Sequence, residues 1–388
     1  MAAEEGQAKI LRVVEYDNQD IVVGKYPFLY EDPNTPELAE LRENYQLERV
    51  VGGGSEFERQ VALRCWRATR FVHGIHRPEG MKVNRRMAWN ALAYLEAAEQ
   101  GATFTCPVAA ATYVQLCLAM GWQARLVEIC QASKEWIPPV EGNVAHCVSE
   151  VWSNDYRKWV LMDPDGNVHY ARDGVPVSAL ELHDAWVNHE AEAVEMVQGD
   201  PPFRTDGSQQ SKTFDVKKEF EIFFRHRVMD YYEEIRTTMR NNHFSRPSYG
   251  RDNGTGFLPQ VVWTDSSSLP MVMRTGRLRP HVFYSGRRED FEWTLNQAHI
   301  ELESADDKDP FAITAMLRVN LSTVTPWFSH FEVRLDDGEW RRSAATFVIR
   351  LRKGVNRIQA RPVNVMGIKG IVSTVAMERD DEEPEWRR

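Results

Sequence analysis

The stretch that most constrains this chain is CPVAAATYVQLCLAMG, residues 106–121. Pro107 suits the first helical position, where the N–H it lacks would find no partner anyway. Gly121 stands where a left-handed residue closes a helix. The pattern predicts a helix over 106–120 that carries a cysteine at its N-terminal end. At that end, unpaired N–H groups and the helix dipole favour a thiolate over a thiol. Apolar runs at 124–129, 144–152 and 158–162 follow and read as strands, with Pro138-Pro139 and Glu141-Gly142 in the loop between the first two.

Those strands hold the partners a reactive thiol needs. In AHCVSEVW, strand alternation sets His146, Val148, Glu150 and Trp152 on one face and Cys147 on the other. Asp163 ends WVLMDPD, where Pro164 stops the strand. Adjacent antiparallel strands would present imidazole and carboxylate side by side, and the helix start would bring Cys106 to the other imidazole nitrogen. A nucleophile, a base and an orienting acid are what acyl transfer requires. Cys117 lies mid-helix between Leu116 and Leu118 and reads as a core residue, as do Cys65 and Cys130. Glu150 reads as an exposed or paired strand carboxylate.

Other chemistries find little support. Five cysteines among 388 residues do not make a disulfide scaffold. There is no CxxC pair and no HExxH, and His73, His76, His169, His183 and His189 show no metal spacing, so no metal is expected. Gly52-Gly53-Gly54 runs into Ser55 without a P-loop lysine, and G-x-G-x-x-G is absent, so no cofactor is expected. Lys and Arg number 47 against 57 Asp and Glu, a net charge of −10 that argues against nucleic acid as a partner. No run approaches the roughly 20 apolar residues of a spanning helix. The start, MAAEEGQAKI, shows no signal-peptide h-region, which leaves a soluble protein whose compartment stays open: cytoplasmic, or exported after loss of a leader.

Along the chain, residues 10–30 read as a β-hairpin and 37–44 as a short helix. Ser55 with Glu58 forms a capping-box pattern opening a helix to about 71, and a second helix is expected at 84–99. Ser178 with Glu181 opens another, running to about 197. Residues 198–213 are turn-rich and polar, a candidate boundary, and a connecting helix is expected at 214–240. From 257 the pattern changes to short alternating runs at 291–302, 312–320, 331–335, 346–351 and 356–362, which predict an antiparallel β-sandwich. The expected organisation is an extension at 1–54, a catalytic core at 55–200, a helical connector at 214–256 and a sandwich at 257–380, with 198–213 and 241–256 as linkers. Trp293, Trp327 and Trp340 could stack on sugar, though two of the three are expected to fill the sandwich core. Asn253 and Asn320 open glycosylation sequons.

The stretches GATFTCPVAAATYVQLCLAMGWQARLVEI, AHCVSEVW and KWVLMDPD together resemble the transglutaminase-like superfamily. With the helices before them, the resemblance covers roughly residues 55–190. It implies an α+β, papain-like transglutaminase core, followed here by an all-β Ig-like or fibronectin-like sandwich. It also implies that Cys106, His146 and Asp163 are catalytic: Cys106 attacks an amide carbonyl, His146 protonates the leaving amine and Asp163 holds the imidazole tautomer. Water or an amine would resolve the thioester, with the Cys106 backbone N–H as one oxyanion donor, a contribution of roughly 3 kcal/mol. Where the family often carries an aromatic residue two positions after the histidine, Val148 stands. The family includes cross-linking enzymes, cysteine peptidases and peptide N-glycanases, so a protein, peptide or glycoconjugate substrate is implied. A carbohydrate-directed enzyme and a non-catalytic binding protein on the same fold are the alternatives.

Overall fold

The computed structural model describes residues 11–81, 89–130, 145–208, 232, 234–246, 259–265, 282–305 and 316–379. Contacts divide the chain into a larger unit, Val23–Trp293, and a smaller one built from Met1–Val22 and Thr294–Arg388. The first strand, β1 (Leu11–Asp17), belongs to the smaller unit.

In the larger unit, helices α1 (Pro36–Asn44), α2 (Leu47–Val51), α3 (Glu56–Arg70) and α4 (Ala91–Glu99) gather with α5 (Cys106–Ala119). The capping box at the start of α3 forms: the Glu58 N–H donates to Ser55 Oγ at 3.2 Å, and the Ser55 N–H to Glu58 Oε2 at 2.8 Å. Such a cap stabilises a helix by about 1 kcal/mol. Gly121 takes φ 81° just past α5, the left-handed closure its position predicts. Next come β2 (Ala124–Cys130), β3 (Ala145–Ser153) and β4 (Lys158–Met162), all antiparallel neighbours. Of the expected helix at 84–99, residues 91–99 are helical and 82–88 lie outside the described residues.

The small sheet of β5 (Val168–Arg172), β6 (Val175–Pro176) and β7 (Glu195–Gln198) follows, with α6 (Ala179–Val187) between β6 and β7. Helix α6 opens with its predicted capping box but stops ten residues short of 197. His189 turns left-handed at φ 58°, and 195–198 pair with β5 instead. Strand pairing there outweighs the helix-forming Ala and Glu composition.

Residues 198–208 are not a linker. The His73 N–H donates to the Arg204 carbonyl at 2.9 Å, and Thr103 Oγ1 donates to Asp206 Oδ2 at 2.6 Å. Of the expected connecting helix, 214–231 and 233 lie outside the described residues, while 234–238 form strand β8 (Glu234–Thr238). Strands β9 (Gln260–Trp263) and β10 (Val282–Ser285), expected to open the sandwich, join β8 on the larger unit's sheet. Among the described residues its order is β10-β9-β8-β2-β3-β4. Their buried faces, with Val261 and Val262 unexposed, explain the switch. An apolar strand pairs wherever a sheet edge and a core accept it.

Helix α5 is buried along nearly its whole length. Its Tyr113, Val114, Leu116 and Leu118 join Leu38, Leu41, Leu63, Leu95, Leu126 and Val151 in one apolar cluster. A helix enclosed in this way has its ends held in place, and the N-terminal end carries Cys106.

The smaller unit is the predicted β-sandwich. One sheet runs β1-β17-β16-β13-β14 and the other β11-β12-β15, through β11 (Ala298–Ser304), β12 (Met316–Thr323), β13 (Phe328–Leu335), β14 (Arg341–Ser343), β15 (Thr346–Arg350), β16 (Gly354–Asn364) and β17 (Ser373–Arg379). Inward-facing Ile300, Val319, Phe331, Ile358, Ala360 and Val375 fill the space between them. On the outer face of β16, Arg361 pairs with Glu332 across the ladder at 2.7 Å.

The hairpin expected at 10–30 does not form. Leu11–Asp17 pairs with β17, and Asn18 is tied to β11 by bonds to both the N–H and the C=O of Ile300, at 2.8 Å each. The tryptophans also depart from expectation. Trp293 is buried in the larger unit, Trp340 lies between Arg334 and Arg361, and Trp327 is 40% exposed, so none joins the sandwich core.

Candidate active site

Cys106 is the first residue of α5, with Pro107 behind it and Thr105 before it offering no side-chain cap. The positive end of the helix dipole therefore lies at the thiol. Strand β3 brings His146 beside it, and Asp163 follows the last residue of β4. The structure thus brings together all three residues singled out from the sequence. His146 Nε2 lies 2.8 Å from Asp163 Oδ2. Cys106 Sγ lies within 4.8 Å of a His146 nitrogen. With Nε2 held by Asp163, Nδ1 is the nitrogen left for the sulfur. All three side chains are buried.

The loop after β4 fixes the carboxylate. Asp163 Oδ1 accepts from the Asp165 N–H at 3.0 Å and the Gly166 N–H at 2.9 Å, while Oδ2 is left for the histidine. A carboxylate held by several donors keeps its direction.

Charges in the site are strongly displaced. The Cys106 thiol is pushed down to about 5, first by the hydrogen bond from Cys147 and then by the His146 charge, against burial. Burial disfavours the His146 imidazolium, yet Asp163 and the Cys106 thiolate outweigh it and hold the imidazole protonated well above its usual range. Thiolate and imidazolium therefore stabilise one another.

Sequence reasoning missed a second layer of residues. Asp165, two positions beyond Asp163, offers a carboxylate oxygen within 4.8 Å of Cys106 Sγ and a His146 nitrogen. So close an anion opposes the thiolate, but His73 Nδ1 meets Asp165 Oδ2 at 2.7 Å and Arg67 stands 3.9 Å from Oδ1. Burial opposes the Asp165 charge; His73 and Arg67 more than restore it and hold its carboxyl below the usual range. Arg67 also donates to the Pro164 carbonyl at 3.0 Å, and Arg64 donates from Nε to Asn167 Oδ1 at 3.0 Å. Two buried arginines of α3 thereby clamp the loop that carries Asp163.

Cys147 is the other omission. Its place beside His146 was visible, but its alternate face placed it away from the imidazole in the strand pattern. That face turns out to be the one packed on α5.

Among the described residues, Cys106, His146 and Asp165 are also where three donors come close enough for a cation. The same groups are engaged within the chain, His146 by Asp163 and Asp165 by His73 and Arg67. They do not fit a vacant metal site. Glu150 is, as expected, a paired strand carboxylate: Arg125 Nε and Nη2 donate to its Oε2 at 2.9 and 2.6 Å, and the Arg125 guanidinium lies over Trp159 and Trp293.

Residues 89–164 match the family model described as the Transglutaminase-like superfamily, a span that contains Cys106, His146 and Asp163. Among solved structures, the crystal structure of red sea bream transglutaminase aligns over 94% of this chain and 76% of its own at 10% identity and a TM-score of 0.24. No curated protein matches the chain. No helix among the described residues is long and apolar enough to cross a membrane.

Proposed function

We propose that the transglutaminase-like domain at residues 89–164 performs acyl transfer from amide bonds through a Cys106 thioester. The observation that carries this reading is the series Cys106–His146–Asp163 at the start of a buried helix, with the thiol within 4.8 Å of an imidazole nitrogen and the imidazole bonded to the carboxylate. The Cys106 thiolate attacks the amide carbonyl, and His146, already protonated, gives its proton to the leaving amine. Asp163 keeps the imidazole turned so that Nδ1 faces the reacting atoms. The Cys106 N–H at the helix start is one donor for the oxyanion, worth roughly 3 kcal/mol in such sites. Water or an acceptor amine then takes the acyl group from sulfur, and His146 serves as base for that second attack. The substrate class is a protein or peptide bearing a side-chain carboxamide.

The test uses peptides that carry glutamine or asparagine, acid quench and mass mapping of the Cys106 peptide. An acyl adduct on Cys106 that disappears on adding hydroxylamine, and is absent in His146→Ala, is expected. Absence of any adduct, with Cys106 alkylating at pH 6 no faster than Cys117, would overturn the reading in favour of a binding protein.

A further inference from the structure

Two consecutive residues of β3 border the nucleophile, and only His146 has a part in the acyl chemistry. The other is Cys147. Ser149 Oγ donates to the Ala110 carbonyl at 3.2 Å, which sets the register between β3 and α5. Two residues back along the strand is about 6.7 Å. One helical turn back from Ala110 is about 6 Å and ends on Cys106. Cys147 is thereby carried to the helix start, where it packs in the same buried cluster as Cys106, close enough to act on its charge. Both thiols are free and buried, and both belong to the same apolar cluster.

We propose that Cys147 is a resolving thiol for Cys106, so that a peroxide converts the active-site nucleophile reversibly to a Cys106–Cys147 disulfide. The proposal rests on the reading of Cys106 as a reactive thiolate, and goes beyond it by assigning a modification site. The chemistry balances in two steps. The Cys106 thiolate attacks one peroxide oxygen, the O–O bond breaks, hydroxide leaves, and Cys106 becomes a sulfenic acid. The Cys147 sulfur then attacks the Cys106 sulfur; the S–O bond breaks, the S–S bond forms, and the departing hydroxide takes the Cys147 proton as water. Two electrons pass from the thiol pair to the peroxide.

Closure requires a local shift that brings the sulfurs to about 2.05 Å. The first residue of a helix and a residue near the start of a strand are positions where such a shift disturbs little of either element. The proton on Cys147 is held by the anionic Cys106, which keeps its thiol well above the usual range. Once Cys106 is oxidised that anion is gone, which removes the largest of the effects that hold the proton on Cys147 and leaves burial as the chief one. Without a resolving thiol, a sulfenic acid continues to the irreversible sulfinic acid.

Hydrogen peroxide in several-fold excess on the full chain, followed by non-reducing peptide mapping, tests this. The native protein should yield linked Cys106 and Cys147 peptides, lose alkylation at Cys106 and regain it fully with dithiothreitol. Cys147→Ser, which retains a hydrogen-bond donor, should accumulate sulfinic acid at Cys106 and regain none; Cys147→Ala serves the same end should the serine variant not fold. Irreversible sulfinic acid in the native protein, or a disulfide from Cys106 to another thiol, would overturn the proposal while leaving acyl transfer standing. Slow alkylation of Cys106 before any oxidation would overturn both.

Discussion

Two positions on one helix make a useful contrast in thiol chemistry. Cys106 opens α5 and Cys117 lies three turns on; both are buried, 5% and 0% exposed. Burial pushes the Cys117 thiol far up, with only the Tyr113 hydroxyl as a polar neighbour to oppose it. Burial pushes on Cys106 too, and is overcome by the Cys147 hydrogen bond and the His146 charge. Low exposure therefore says nothing by itself about reactivity. What separates the two is whether the fold supplies a cation, a donor and a helix end at the sulfur.

The sharpest way to break this contrast is mass-mapped alkylation at pH 6. With Cys106 about nine-tenths thiolate at that pH, it should label at least about 1,000-fold faster than Cys117. The lowered value also sets the pH profile: thiolate is the deprotonated form, so labelling should rise through pH 5 and level off well below the pH 8.5 of an ordinary thiol. A midpoint near 8.5 would abolish the distinction.

His146→Ala should bring the largest loss within Cys106 itself. Deprived of its counter-ion, the thiol should return toward about 8.5, lowering labelling at pH 6 by roughly two orders of magnitude. Cys147→Ala removes a hydrogen bond to a charged group, worth about 1.5–3 kcal/mol. The labelling midpoint should climb by about one to two pH units. Cys147→Ser, which still donates, should recover most of that shift. If alanine and serine behave alike, the hydrogen bond is not what holds the thiolate.

Asp163→Asn should act mainly on turnover, because the imidazole loses its orienting acceptor while the thiol keeps its other neighbours. Acyl-adduct formation should fall by about 1,000-fold or more, and labelling by less than in His146→Ala. The smallest effect on labelling belongs to Cys117→Ala. It should cost about 1–2 kcal/mol of stability in denaturant titration through lost core packing, with Cys106 labelling unchanged within about twofold.

Much of the site was legible because its signals are local. A proline and a glycine bracket α5, a capping box opens α3, and Pro164 ends the strand run that carries Asp163; each needs only its near neighbours to act. Cys106, His146 and Asp163 could be chosen because each sits at the end or start of such an element. Cys147 was assigned to the face away from His146, since alternation along a strand tells which residues share a face but not which face meets the helix.

The amino-acid sequence by itself determined the helix at 106–119, the strands around it and the choice of three candidate residues, since caps, breakers and periodicity work over a few residues. Tertiary structure alone decided the rest. It joined β1 to β17, Leu11 opposite Arg379, in place of a local hairpin. It moved β9 and β10 onto the larger unit's sheet, and set the boundary at Trp293 instead of near 257. It also drew Arg67 and His73 onto Asp165 and packed Cys147 with Cys106. Pairings of this kind join residues far apart in the chain. They are chosen by which sheet edge is open and which buried charge lacks a partner, quantities that exist only once the whole unit has packed.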